Sequence, residues 1–170
     1  MEHFESIVIH HSASPRSTTA EDIRSWHVDD NGWDDIGYHF VIEANGSVVI
    51  GRRLPKTGAH APPNSGRIGI CITGNNTTPN SRWNMRQIYS LVSLVRHLLA
   101  VFPWIKDGEK LFRHSELKDT KCPGLREEEW TSLYRACMDT EVLGRRPLGS
   151  DLDGAEDEGG HRGRGLRDPR

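Results

Sequence analysis

Cysteine and long apolar runs are both scarce in this sequence. Its three cysteines are few and odd in number, which excludes the disulfide framework of a small secreted domain. The most apolar segment, residues 91–102, is interrupted by Ser93, Arg96 and His97 and is shorter than the ~20 apolar residues of a membrane span. We therefore predict no transmembrane segment.

An excess of positive charge is also missing, because the formal net charge is −2. This balance argues against a basic phosphate-binding surface, and we expect no nucleic-acid partner. The N-terminus carries Glu2 and Glu5 beside its first apolar residues and lacks the basic region and apolar run of a secretory signal. We therefore expect a cytoplasmic protein that stays there until something releases it.

A length of 170 residues favours a single folded domain, which we place at residues 1–142. Residues 143–170 differ sharply in composition, with seven of the 17 glycines, six arginines, six acidic residues and few large apolar side chains. Such a segment buries too little surface to offset its ordering entropy, so we predict a disordered C-terminal tail. A partner-binding or wall-binding role for this tail is the alternative.

Strand-like and helix-like patterns alternate within the predicted domain. Capping-box patterns at residues 18–21 and 84–87 predict the first turns of two helices, and a third helix is expected at about residues 126–141. Strands are predicted at residues 6–10, 38–43, 47–51 and 67–73. Asn45-Gly46 is predicted to form the hairpin turn between the second and the third of these strands. Strands interleaved with helices indicate an α/β fold.

Side chains that can bind metals lie at the end of the first predicted strand and again near the end of the predicted domain. His10 ends a buried strand, which would hold its imidazole rigidly at a cleft, whereas the adjacent His11 faces the other side. His114 and Cys122 lie eight residues apart in a polar segment, and imidazole and thiolate both suit zinc. The alternatives are a structural strand-end histidine and a cysteine that is a small buried apolar residue.

Tyr38 lies at the start of a predicted strand, directly after Gly37. From there its hydroxyl could project into a cleft and hydrogen-bond either a metal-bound water or the oxygen that gains charge on an attacked carbonyl. A half-buried strand tyrosine without a chemical role is the alternative. The other histidines, among them His27, His39 and His97, are assigned to packing or to the surface.

Six motifs occur in order along the chain: Ile-His-His-Ser-Ala, Gly-Trp-x-x-Ile-Gly-Tyr-His-Phe, Asn-Gly, Gly-Ala-His-Ala, Ile-Gly-Ile-Cys and His-x7-Cys-Pro-Gly. Together they resemble the type 2 N-acetylmuramoyl-L-alanine amidases, a superfamily that includes amidase-type phage lysozymes and animal peptidoglycan-recognition proteins. The resemblance covers residues 7 to about 130. It implies an α/β domain with a central mixed β-sheet, flanking helices and a zinc-bearing groove on one face.

The resemblance also implies which residues carry the chemistry. His10, His114 and Cys122 correspond to the zinc ligands, with Zn²⁺ as the cofactor. Tyr38 corresponds to the catalytic tyrosine. His10 is remote in sequence from His114 and Cys122, so spacing alone does not establish the site.

The resemblance assigns three further positions. Thr120 lies where many phage enzymes have a lysine, and lysine follows here as Lys121. The oxyanion would be stabilised by one of these two side chains, and we favour Thr120. His60 and Asn64 correspond to positions on the groove wall that contact the substrate.

These assignments predict zinc-dependent hydrolysis of the amide between N-acetylmuramic acid and L-alanine in peptidoglycan, by a monomeric phage or prophage endolysin. A cytosolic enzyme of wall recycling is the closest alternative. A non-catalytic peptidoglycan-recognition module belongs to a different class, and such modules typically lose a zinc ligand. Binding to a viral RNA polymerase, as some phage relatives show, is an alternative by analogy only.

Overall fold

A computed structural model of the chain describes residues 3–139. The predicted tail at residues 143–170 and the predicted domain end at residue 142 lie outside this range. The helices and strands of the described part are β1 (Ser6–His11), α1 (Ala20–Ser25), β2 (Phe40–Ile42), β3 (Val48–Ile50), β4 (Arg67–Ile72), α2 (Met85–Val101), α3 (Pro103–Asp107), β5 (Leu111–Arg113) and α4 (Glu127–Met138).

The five strands form one mixed sheet in the order β3-β2-β4-β1-β5. β1 pairs in parallel with β4 and β5, β2 pairs in parallel with β4, and β3 runs antiparallel to β2. The carboxyl ends of parallel strands meet at one edge of a sheet, where ligands bind in many α/β folds. His10, near the end of β1, and His114, directly after β5, are therefore brought to the same edge.

The main hydrophobic core lies on one face of the sheet. Apolar residues recur at helical spacing along α2, and the buried ones are Leu91, Val95, Leu98 and Leu99. These side chains pack with isoleucines of β1 and β4 and with Trp130 and Leu133 of α4. Full burial of one such aliphatic side chain contributes about 1.5–3 kcal/mol. None of the helices within residues 3–139 has the length and apolar character to cross a membrane.

The opposite face of the sheet carries a smaller cluster that includes Ile23 of α1, Ile36, Val41 and Cys71. His10 is the strand partner of Cys71. Side chains of paired residues point to the same face of a sheet, so His10 projects toward this smaller cluster and away from α2. The sheet thus separates the stabilising core from the face that bears His10.

The capping box of α1 differs from the predicted one. The cap is Thr19, whose hydroxyl accepts from the Asp22 N–H while the Asp22 carboxylate accepts from the Thr19 N–H. The prediction of Thr18 with Glu21 is therefore wrong by one residue. Thr19 has the extended backbone that an N-cap requires, and its hydroxyl makes the capping bond.

Short elements account for the other differences from the predicted structure. The strand predicted at residues 38–43 is reduced to the three residues of β2, and α3 and β5 were not predicted. Elements of three to five residues are too short to show a hydrophobic period. The capping box at Asn84 and Gln87 is confirmed, and α4 begins one residue after the predicted start.

Candidate functional site

The side chains of His10, His114 and Cys122 converge at the carboxyl edge of the sheet. Their donor atoms all lie within 4.8 Å of one another. Cys122 Sγ is 3.8 Å from His10 Nδ1, and the ring centroids of His10 and His114 are 4.4 Å apart. Three residues from two distant parts of the sequence therefore form one cluster that could hold a metal ion.

Burial and donor chemistry both suit a metal at this cluster. His10 and Cys122 are buried, and His114 is half-buried. Nε2 of His114 is buried and finds no hydrogen-bond partner among residues 3–139. A buried polar atom without a partner is costly, and a metal ion is one partner that would satisfy this nitrogen. Two imidazoles and one thiol are ligands that transition metals accept.

The electrostatics of the cluster keep its imidazoles neutral. Burial, reinforced by neighbouring imidazoles, lowers the pKa of His10 well below its usual value, and burial also lowers the pKa of His114. Neutral imidazole is the form that ligates metals. Burial raises the pKa of Cys122 to about 12, although the backbone N–H of His11 opposes this shift. A bound cation would favour the thiolate form of Cys122.

The loop that carries Cys122 is attached to the sheet edge by hydrogen bonds. The backbone N–H of His11 donates to Cys122 Sγ at 3.3 Å. Nδ2 of Asn76 donates to the carbonyl of Pro123 at 2.9 Å, and the Asn76 N–H donates to His11 Nδ1 at 3.4 Å. Sequence reasoning missed Asn76, because an asparagine after a strand has no distinctive signal. Asn76 and His11 together fix the direction of the thiol.

Tyr38 lies beside His10, with 5.2 Å between the ring centroids. Its side chain packs against the cluster that includes Ile36 and Cys71. Burial, together with the nearby thiols of Cys71 and Cys122, raises the pKa of Tyr38 well above its usual value. The hydroxyl therefore keeps its proton at neutral pH and remains a hydrogen-bond donor.

His27 supports the position of Tyr38. Its ring stacks on Trp33 at 4.6 Å and lies 5.6 Å from the Tyr38 ring, and its Nδ1 accepts from the Gly37 N–H at 3.0 Å. The sequence assigned His27 either to packing or to the surface, and its contact with Tyr38 was not expected. His27 lies in a π-helical turn, Trp26–Asp30, whose spacing differs from that of the α-helical period.

Thr120 and Lys121 differ in their placement. The Thr120 side chain is half-buried, and its hydroxyl oxygen accepts from the Cys122 N–H at 3.2 Å. Lys121 is exposed. Thr120 precedes Cys122 by two residues in the sequence, and its hydroxyl retains its own hydrogen for donation.

His60 and Asn64 lie in the segment between β3 and β4. His60 is only 9% exposed, with Nδ1 3.0 Å from His10 Nε2 and Nε2 3.2 Å from the carbonyl oxygen of Arg67. Burial lowers the pKa of His60 to about 3. Oδ1 of Asn64 accepts from the N–H groups of His60 and Ala61 at 2.9 and 2.8 Å. Asn64 therefore shapes the backbone that carries His60.

The sequence matches one enzyme family and several characterised relatives. The family described as N-acetylmuramoyl-L-alanine amidase matches residues 2–125. The endolysin of Escherichia phage T7 is 33% identical over 132 residues, which cover 74% of this chain and 84% of that protein. Peptidoglycan-recognition protein LB of Drosophila melanogaster is 34% identical over 140 residues, covering 73% of this chain and 58% of that protein.

Solved structures share the fold. The Ph2119 endolysin from the Thermus scotoductus MAT2119 bacteriophage Ph2119 has a TM-score of 0.69 at 25% identity, covering 81% of this chain and 86% of that chain. The N-acetylmuramoyl-L-alanine amidase LysCS from Clostridium intestinale URNW has a TM-score of 0.67 at 32% identity, covering 78% of this chain and 84% of that chain. The mixed sheet, the cluster at its edge and these matches lead to one conclusion: the chain belongs to the N-acetylmuramoyl-L-alanine amidase family.

Proposed function

We propose that the protein is a zinc-dependent hydrolase of the amide bond between N-acetylmuramic acid and L-alanine in peptidoglycan. The convergence of His10, His114 and Cys122 within 4.8 Å carries this proposal. Membership of the amidase family supports the reaction and the muramyl peptide substrate. The phage endolysins among the relatives support a role in which the enzyme acts on the wall after release from the cytoplasm.

His10, His114 and Cys122 are the residues that would hold the zinc ion. Three protein ligands of this kind leave one position for water or substrate, which distinguishes a catalytic zinc site from a structural one. Zinc held there would polarise the scissile carbonyl and lower the pKa of water. The burial of His10 and Cys122 keeps these ligands away from competing solvent.

Tyr38 is proposed to orient the water that attacks the amide carbon, by accepting a hydrogen bond from it, and to donate its own hydrogen to the carbonyl oxygen under attack. Its ring lies against His10, and its raised pKa keeps the hydroxyl protonated at neutral pH. A protonated hydroxyl can donate to an oxygen that gains negative charge as the carbonyl is attacked. Packing against His27 and against the cluster that includes Cys71 restricts the positions that the ring can take.

Thr120 is proposed to donate a second hydrogen bond to that oxygen. Its hydroxyl oxygen is already occupied as an acceptor by the Cys122 N–H, so its hydrogen points elsewhere. The exposed Lys121 is less suited, because an ammonium group in water loses much of its electrostatic effect through screening. The segment shaped by Asn64 is proposed to form the wall of the groove.

The class of reaction is tested on purified peptidoglycan with and without a zinc chelator. We expect the turbidity to fall, the chelator to prevent this, and added zinc to restore it. Mass spectrometry of the products should show peptides with free L-alanyl amino termini. New reducing sugar ends would identify a glycosidase and contradict the proposal. Binding to peptidoglycan without cleavage would instead identify a recognition module.

A further inference from the structure

We propose that His60 is a positioning residue that fixes the proton of His10 and aims its other nitrogen at the metal. The inference rests on the proposed function, since it concerns a ligand of the proposed zinc site. Nε2 of His10 and Nδ1 of His60 are 3.0 Å apart, and the two rings are nearly perpendicular, at 86°. The other nitrogen of His60, Nε2, lies 3.2 Å from the backbone carbonyl oxygen of Arg67.

The carbonyl of Arg67 determines where each proton lies. A backbone carbonyl only accepts hydrogen bonds, so Nε2 of His60 must be the protonated nitrogen of a neutral ring. Nδ1 of His60 then has a lone pair and accepts from Nε2–H of His10. The proton of His10 is thereby held on Nε2, which leaves a lone pair on Nδ1.

That lone pair points toward the proposed metal. Nδ1 is the His10 nitrogen that faces Cys122, with 3.8 Å between Nδ1 and Sγ. Histidine ligands in metal sites almost always donate their second N–H to a fixed acceptor, which sets the tautomer and the ring orientation. Here the acceptor is a second histidine, and the series His10, His60 and Arg67 carbonyl forms what we call the histidine relay.

The space around His60 admits little movement of its ring. A Cβ atom at Gly58 or at Gly69 would come within 2.5 Å of Cδ2 of His60, so both positions need glycine for the ring to lie where it does. Asn64 holds the backbone of His60 through the N–H of that residue. The ring is therefore held from both the backbone and the side-chain end.

The histidine relay leaves His60 without a free ring nitrogen. Nδ1 is occupied by His10 and Nε2 by the carbonyl of Arg67, and the side chain is buried. A substrate could reach the backbone near His60 but would have to break the relay to bond to its ring. The resemblance assigned His60 to substrate contact. On this proposal His60 acts instead through its hydrogen bond to the ligand His10.

The tautomers of the zinc-loaded wild-type protein test the relay directly. Long-range nitrogen–proton NMR correlation spectra distinguish rings protonated on Nδ1 from rings protonated on Nε2. We expect both His10 and His60 to be neutral and protonated on Nε2. A proton on Nδ1 of His60, or a doubly protonated His60 ring, would overturn the proposal. This measurement requires no variant to fold.

Variants of His60 test its effect on the metal. Zinc affinity, measured by competition with a chromophoric chelator, should fall about 10- to 100-fold in His60→Leu, the usual cost of losing such a partner. His60→Asn keeps an acceptor near Nδ1 and should lose less affinity. The absorption bands of the cobalt-substituted protein should shift in His60→Leu, because the His10 ring is no longer held. Unchanged affinity and spectra would overturn the proposal.

His39 provides a matched control for buried-histidine loss. It is fully buried, and its ring centroid lies 5.8 Å from that of His60. Neither of its ring nitrogens bonds to His10 or His60, because Nδ1 accepts from the Gly69 N–H and Nε2 donates to the carbonyl of Lys56. His39→Leu should leave zinc affinity near that of the wild type. An equal loss in both variants would make the effect one of packing and overturn the relay. Failure of the wild type to bind zinc would instead refute the proposed function.

Discussion

Replacing Cys122 by serine is expected to remove zinc binding and amide hydrolysis together. Serine is close in size to cysteine, but its hydroxyl remains protonated and is a poor ligand for a metal that prefers sulfur and nitrogen. The loss of affinity should exceed the roughly 10- to 100-fold that follows loss of a partner outside the ligand set. Zinc content after dialysis and release of L-alanyl peptides measure the two effects on one preparation.

Cys137 is the matched control for this substitution. It is also a buried free thiol, but it lies on α4 within the core on the far face of the sheet. We expect Cys137→Ala to retain zinc and turnover, with any loss confined to thermal stability. Full zinc occupancy in Cys122→Ser would show that the thiol is not a ligand, and the proposed site would then be wrong.

Removing the hydroxyl of Tyr38 is expected to slow turnover without releasing the metal. Tyr38→Phe keeps the ring against His10 and removes only the donor. Loss of one hydrogen bond to a developing oxyanion typically lowers turnover by about 100- to 1,000-fold. The effect should appear in kcat, while zinc content remains that of the wild type.

Tyr89 on α2 is a suitable comparison, because its side chain is 75% exposed and lies on the helix that covers the opposite face of the sheet. Tyr89→Phe should cleave peptidoglycan at the wild-type rate. Two results would contradict the role of Tyr38: undiminished cleavage by Tyr38→Phe, or loss of zinc from that variant. The second would make the tyrosine part of the metal site rather than a donor to the substrate.

The larger elements of the fold were predictable because their signals are local and repeated. The apolar stripe of α2 spans several turns, and its capping box at Asn84 and Gln87 marks its start. β5, with three residues, has no period of its own and forms because Leu111 pairs with Ile7 of β1. Such pairing depends on tertiary contacts, which no window of sequence contains.

The residues of the candidate site were predictable from motifs, but the way they act on one another was not. The position of His10 at the end of a buried strand and the spacing of His114 and Cys122 are visible in the sequence. The contact of His10 with His60 joins residues 50 positions apart. It requires the close approach that Gly69 permits, which only the folded chain reveals.

X-ray absorption spectroscopy of the zinc-loaded wild-type protein tests the central claim most directly. If His10, His114 and Cys122 hold the ion, the spectrum should show one sulfur neighbour at about 2.3 Å and nitrogen or oxygen neighbours at about 2.0–2.1 Å. The sulfur neighbour should disappear in Cys122→Ser. A wild-type spectrum with only oxygen and nitrogen neighbours, or with two sulfur atoms, would contradict the site.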